Sequence, residues 1–334
     1  MPGVRKRGTE IRSFILANIT ENRNIAALTS ERFGISLPAV YKHIDRLVSE
    51  KQVIKKPGRF VLQSTRHKYV YRNHKALSED TVWENDIKQY FAGLPLNVRH
   101  IWTYGFLEIF NNAIEHSRGE RICVVINENR IFTDISVSDN GIGIFKNIKS
   151  KFKLIDEKEA LLELAKGKRT TDKTRHSGQG IFFTSKVFDD FFILSGGITF
   201  FTGPERKTIL KAGKTDFSTL VYMRLVNNSG KKLKDVFNEF STEIPGDFDK
   251  TIVPIHFANS SDLVSRSQAR RIMSGLELFK EVILDFRGIE YIGQAFADEI
   301  FRVFTNMNPA TAISAQNANT EVQNMINRAI NTKL

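Results

Sequence analysis

The 334-residue sequence contains a single cysteine, Cys123. One thiol cannot close an internal disulfide, so neither a disulfide-built scaffold nor a metal–thiolate site is expected. Its neighbours Ile122, Val124 and Val125 suggest a core strand position. Long uncharged apolar runs are also missing. The most apolar stretch, Ile181–Phe201, is interrupted by Lys186, Asp189 and Asp190, so no membrane span is expected. The basic N-terminus leads into no apolar segment and does not read as a signal peptide. There is no internal repeat and no low-complexity tract. With 41% hydrophobic and 26% charged residues, the composition is that of a soluble globular protein, and a cytoplasmic location is expected. The length implies two or three domains.

Charge is unevenly placed. Residues 1–75 hold 16 Lys+Arg and 5 Asp+Glu, whereas the remainder is nearly balanced. A basic field confined to one module implies a polyanionic partner for that module, most simply nucleic acid. Within it, Thr9–Ile19 has a helical apolar pattern, and Asn24–Phe33 reads as a second helix closed by Gly34. Ser36 is expected to cap a third helix carrying Pro38 in its first turn. There Val40, Ile44, Leu47 and Val48 share one face, and Lys42 and Arg46 lie opposite, flanked by Tyr41 and His43. Val53–Lys56 and Arg59–Gln63, joined at Pro57–Gly58, read as a hairpin. Three helices and a basic hairpin resemble a winged helix-turn-helix domain. The resemblance implies DNA binding by Tyr41, Lys42 and Arg46 on the third helix and by Lys55, Lys56 and Arg59 on the wing. A small helical bundle used for protein contact is the alternative. His67–Ser78 reads as a linker.

The long helix expected over Leu96–Ser117 carries Glu108, Asn112 and His116 at four-residue spacing, hence on one face. Phe106, Ile109, Phe110, Ala113 and Ile114 occupy the other side. A carboxylate and a carboxamide one turn apart suit a nucleotide site. The Asn oxygen is a hard ligand for Mg²⁺, and the Glu can act as a general base. A solvated polar helix face gives the same pattern. After the apolar strand Ile131–Val137 comes Asp139-Asn140-Gly141-Ile142-Gly143. It reads as a hairpin turn, or as a carboxylate placed to accept from an adenine amino group beside glycines that admit close approach. Ser177-Gly178-Gln179-Gly180 then opens the apolar helix Ile181–Phe188. A glycine turn at a helix N-terminus offers free N–H groups to phosphate.

Glu-x-x-x-Asn on a helix, Asp-Asn-Gly-Ile-Gly after a strand and Gly-x-Gly before a helix, in that order, resemble the N, G1 and G2 boxes of the GHKL ATPases. That family includes DNA gyrase B, histidine kinases and the anti-sigma-factor serine kinases, and the Glu-Ile-Phe-Asn-Asn-Ala-Ile-Glu-His wording is most like the last. The resemblance implies ATP and Mg²⁺ as ligands, Glu108 as the catalytic base and Asn112 as the Mg²⁺ ligand. It implies contacts to ATP from Asp139, Gly141, Gly143, Gly178, Gln179 and Gly180. Ser218-Thr219-Leu220-Val221 is similar to the family's Gly-Thr-x-Phe motif, with Ser218 in place of the glycine, and implies that Thr219 joins Asp139. The insert Ile144–His176 corresponds to the family's lid over the triphosphate. Its basic end, including Lys173 and Arg175, would meet the γ-phosphate. A helix over Glu157–Lys166, closed by Gly167, is expected inside the insert.

Beyond the connecting helix expected at Lys232–Phe240, strands and helices alternate, which argues for a small α/β domain. Strands are expected at Thr251–Phe257, Glu281–Phe286 and Ala312–Gln316, and helices at Ser265–Leu278, Gln294–Phe304 and Glu321–Ala329. Val282–Ala295 resembles STAS domains, the fold of anti-sigma-factor antagonists. In that family a phosphorylatable Ser or Thr precedes the helix, and here Gln294 and Ala295 stand in its place.

The chain is thus expected to be a multidomain α/β protein. A winged helix-turn-helix (1–66) and a linker (67–80) precede a GHKL α/β sandwich (81–225). A connecting helix and linker (226–248) and a STAS-like domain (249–334) follow. The expected function is ATP-dependent transcriptional regulation through DNA, a protein partner at the STAS-like domain and a second copy of the chain. The alternatives are a serine/threonine kinase acting on a separate STAS-type partner, and an assembly scaffold that binds ATP without turnover.

Overall fold

The computed structural model describes residues 2–19, 24–167, 179–202, 216–258 and 263–331, without the side chains of the first few. Lys173, Arg175 and Gly178 lie outside the described residues. The fold is mixed α/β with separate sheets of two, six and three strands.

The N-terminal helices are α1 (Pro2–Asn18), α2 (Ile25–Phe33) and α3 (Leu37–Ser49). Ile11, Ile15, Ile25, Val40, Ile44 and Leu47 form their shared core. Gly34 ends α2 in the left-handed conformation, at φ 61°, which a residue without Cβ adopts at little cost. Ser36 holds the N-cap position of α3, but its side chain makes no capping hydrogen bond, contrary to expectation. Strands β1 (Val53–Lys56) and β2 (Arg59–Leu62) pair antiparallel across Pro57–Gly58.

The segment expected to be a linker is instead a strand. β3 (Thr65–Arg72) begins two residues after β2 and pairs antiparallel along its whole length with β4 (Arg121–Glu128). Tyr69 and Tyr71 turn inward: the Tyr69 and Tyr90 hydroxyls are hydrogen-bonded at 2.5 Å, and the Tyr71 ring packs edge-on against Phe110. Arg66, Lys68 and Arg72 alternate with them and stay exposed. That alternation is the period of a half-buried strand, concealed in the sequence by the charge on its outer face.

β3 edges a six-stranded sheet ordered β3-β4-β5-β8-β6-β7, with β5 (Phe132–Asp139), β6 (Asp190–Ser195), β7 (Ile198–Thr202) and β8 (Thr219–Val226). Every neighbouring pair in it is antiparallel. The helical segment α4 (Glu79–Val82) continues through a π turn and a 3-10 turn to Phe91. With α5 (Leu96–His116), α6 (Ile144–Phe152), α7 (Glu159–Lys166) and α8 (Gly180–Val187), it shares one core with the sheet. Trp102, Phe106, Phe110 and Phe145 are fully buried there. Cys123 lies on β4 but is only half-buried, on the face opposite Ile122 and Val124. The insert is less loop-like than expected, because α6 and α7 build Phe145, Ile148, Ala160 and Ala165 into this core.

The helix α9 (Leu233–Glu239) leads to a parallel three-stranded sheet ordered β11-β10-β9, formed by β9 (Lys250–Pro254), β10 (Glu281–Asp285) and β11 (Ala312–Gln316). The helices are α10 (Arg266–Met273), α11 (Gln294–Asp298), continued by a π turn into α12 (Thr305–Met307), and α13 (Thr320–Asn331). Their core is not private to the C-terminal residues. Leu162 of α7 and Phe182 and Phe183 of α8 join Phe240, Phe248, Val282 and Leu284 in it. Residues expected to be connecting linker, Phe240 and Phe248, are thus structural bridges.

The N-terminal unit is also seated on the large sheet. Ile131 and Phe132 at the β4–β5 turn pack against its core. At the end of α3 the Glu50 carboxyl is held below its usual pKa, chiefly by its hydrogen bond from Arg46 and with lesser contributions from Arg12 and Arg130. Arg130, in the β4–β5 turn, is thus close enough for its charge to act on Glu50.

Candidate functional site

Three adjacent strands end in one row. Asp139 of β5 pairs with Thr219 of β8, and Thr219 pairs with Ser195 of β6. All three are buried, on the helix-covered face. Burial raises the Asp139 pKa, opposed by hydrogen bonds to its carboxylate from the Gly141 N–H and the Thr219 hydroxyl. The Gly141 bond is 2.9 Å long. Thr219 Oγ1 also accepts from the Ile144 N–H, at 3.1 Å. This one hydroxyl therefore ties the Asp139 carboxylate to the start of α6.

The glycines here answer steric demands. Gly143 has φ 86°, and a Cβ on it would fall 2.9 Å from Ser195 Oγ. A Cβ on Gly141 would overlap the Ser117 carbonyl, which accepts from the Ile142 N–H at 2.8 Å. The carbonyl of His116 accepts from Asn147 Nδ2 at 3.4 Å. The C-terminus of α5 is thereby pinned to the Asp139–Gly143 loop. Asn140 has a scaffold role, its Oδ1 accepting from the Arg121 N–H at 2.9 Å.

Further along α5, Asn112 Nδ2 donates to the Glu108 carbonyl at 2.6 Å. That bond engages the amide nitrogen and leaves Oδ1, the hard donor, without a hydrogen bond among the described residues. The Glu108 carboxylate lies directly against Gly180, where a Cβ would overlap it. Gln179 occupies the N-cap position of α8 and Gly180 its first turn. The structure thus brings Glu108 to the N-terminus of α8, and Asp139, Gly141, Gly143 and Thr219 together at the sheet end. α5 joins the two groups.

An adenine nucleotide with Mg²⁺ is compatible with this donor set. A buried carboxylate, glycines that admit close approach and an amide oxygen suited to a hard cation are all present. Among the described residues no three His, Cys, Asp or Glu side chains gather as a metal site. A cation at Asn112 would therefore share its coordination with phosphate oxygens and water. Sequence reasoning missed Ser195, Ser117 and Asn147. Ser195, followed by Gly196–Gly197, reads as the start of a turn, and only strand register connects it to Thr219.

On the N-terminal unit, Tyr41, Lys42, Arg46, Lys55, Lys56 and Arg59 are all exposed. Arg46 pairs with Glu50 at 2.9 Å, and the Tyr41 ring lies 6.4 Å from that of Phe60 on β2, so helix and hairpin present one surface. No helix among the described residues is long and apolar enough to cross a membrane.

No curated protein matches the chain. Residues 268–323, from α10 to α13, match the family described as a STAS-like domain of unknown function (DUF4325). The C-terminal part of this α/β chain therefore contains a STAS-like domain.

Proposed function

We propose that the central unit is a GHKL-type ATPase. Its nucleotide state would govern DNA binding by the N-terminal winged helix-turn-helix and protein contact by the STAS-like domain, making the chain a transcriptional regulator. The observation that carries this reading is the Glu108 carboxylate against Gly180 at the start of α8. Residues separated in sequence by about half of the central unit meet where a triphosphate would lie on a helix N-terminus.

In this reading Asp139 orients the base by accepting from the adenine amino group, with Thr219 holding the carboxylate in place. Asn112 Oδ1 supplies a protein ligand to Mg²⁺, whose charge would offset that of the phosphates. Glu108 removes a proton from the attacking water. Lys173 and Arg175 belong to the segment that would meet the γ-phosphate. Because α7 precedes that segment and α8 follows it, any change there acts on two helices that share a core with the STAS-like domain. The direct test follows γ-labelled ATP through turnover with the full chain. Release as inorganic phosphate supports the ATPase reading, and label on protein supports the kinase alternative. In that alternative the acceptor is not the usual STAS position of this chain, which carries Gln294 and Ala295. DNA affinity identical with and without ATP would sink the coupling.

A further inference from the structure

We infer that the duplex-binding surface extends from the N-terminal unit onto the rim of the six-stranded sheet, with Arg130, Arg66, Lys68 and Arg72 contacting DNA phosphates. The inference rests on the DNA-binding reading above and extends it to the ATPase unit.

Between Lys51 and Lys75 the chain has eight basic residues and no acidic one. The run does not stop at the wing. It crosses Gln63–Ser64 and continues along β3, where Arg66, Lys68 and Arg72 share the face opposite Tyr69 and Tyr71. These three are exposed and make no ion pair among the described residues. Their cross-strand partners are Asn127, Val125 and Arg121, none of them acidic. The one acidic residue paired with β3, Glu128, is held by His67 at 3.1 Å. In the row of Arg66, Asp134 is reached only beyond Asn127, whose amide donates to it at 2.8 Å.

A long exposed edge strand needs charge to discourage edge-to-edge pairing, and either sign serves that purpose. An exclusively cationic edge needs a further cause, and phosphate supplies one. Continuity with α3 is structural. Ile131 and Phe132 pack into the N-terminal core, Gln63 N–H donates to Gln52 O at 2.9 Å, and Arg130 directly precedes Ile131 in the β4–β5 turn. From Arg66 to Arg72 the strand advances about 20 Å, at about 3.3 Å per residue. A duplex running past α3 would meet these charges at successive phosphates.

The test measures binding of the full chain to mixed-sequence duplexes of about 10 bp, one helical turn, and about 30 bp. The combined variant Arg66→Gln, Lys68→Gln, Arg72→Gln, Arg130→Gln should weaken the long duplex at least tenfold. It should also lower the slope of log affinity against log salt by about 3.6, at about 0.9 for each of the four phosphate contacts. Binding of the short duplex should hardly change. The charge-keeping set (each Arg to Lys, Lys68→Arg) should restore both quantities, and sedimentation should find every variant in the same oligomeric state. Unchanged affinity and slope on the long duplex, or failure of the charge-keeping set to restore them, overturns the inference. The comparison variant Lys42→Gln, Lys55→Gln, Lys56→Gln should weaken both duplexes. If it weakens neither, the DNA-binding reading itself fails.

Discussion

Lys166, the last residue of α7, donates to the backbone carbonyl of Ser274, at the end of α10, at 3.0 Å. Its ammonium also donates to the Arg271 carbonyl at 3.3 Å and to Glu163 at 2.7 Å, with the side chain 2% exposed. Thr251 of β9 donates back to the Lys166 carbonyl at 3.0 Å. The helix inside the expected lid, just before its basic end, is therefore bonded to the STAS-like domain through a buried charge.

Replacing Lys166 by Met removes that charge from beside the buried Glu163 carboxylate. Losing one partner of a buried pair costs about 3–5 kcal/mol. Urea unfolding should register a loss of this size, and the double replacement Glu163→Leu, Lys166→Met should recover most of it. A loss below about 1 kcal/mol would mean that the pair is solvated.

Gly180→Ala places a methyl where the Glu108 carboxylate sits. Turnover should fall at least about tenfold, equivalent to ~1.4 kcal/mol in the barrier. Glu108→Ala should abolish turnover yet keep ATP affinity. The double variant Glu108→Ala, Gly180→Ala should bind ATP as the Glu108→Ala protein does, because the overlap is gone. Equilibrium binding beside phosphate-release assays resolves these cases.

Much of this site was legible because its chemistry sits in short, ordered segments. Glu108 and Asn112 are one turn apart, and Asp139 and Gly143 lie within one loop. What was not legible depends on long-range pairing. β3 was hidden because its outward Arg66, Lys68 and Arg72 resemble linker composition, while Tyr69 and Tyr71 gain meaning only against Tyr90 and Phe110. The bridge between units was hidden because Phe182, Phe183, Phe240 and Phe248 read as separate apolar runs until packed together. The Ser195–Thr219–Asp139 row likewise exists only in the sheet register.

On the proposed reading, Asp139 should make nucleotide binding pH-dependent. Its folded-state pKa is raised by burial, so a proton competes with the adenine amino group at a pH above the usual aspartate range. ATP affinity should fall as pH falls through that raised value, and the dependence should vanish in Asp139→Asn. The sign for stability is opposite. A carboxyl raised on folding favours the native state when protonated, and that contribution is lost as pH rises through the folded value. Asp139→Asn should therefore make the ligand-free protein more stable at neutral pH while weakening ATP at least about tenfold, as expected for a hydrogen bond to a charged group. Titration calorimetry and thermal unfolding across pH separate the two effects.

Thr219→Val keeps the shape of the side chain but removes the hydroxyl shared by Asp139 and the Ile144 N–H. ATP affinity should fall about fivefold, since the bond that holds the Asp139 carboxylate contributes roughly 1 kcal/mol. The acid limb of the pH profile should move to higher pH because Asp139 loses a donor. An unmoved acid limb would show that Thr219 does not hold the carboxylate.

The proposed function depends on recognition of adenine by the Asp139 row. It is tested most directly by titrating the full chain, with Mg²⁺, against ATP and GTP in parallel by calorimetry. One ATP should bind per chain, with no comparable binding of GTP, which presents a carbonyl where adenine presents its amino group. Absence of ATP binding, or equal affinity for the two nucleotides, would contradict it.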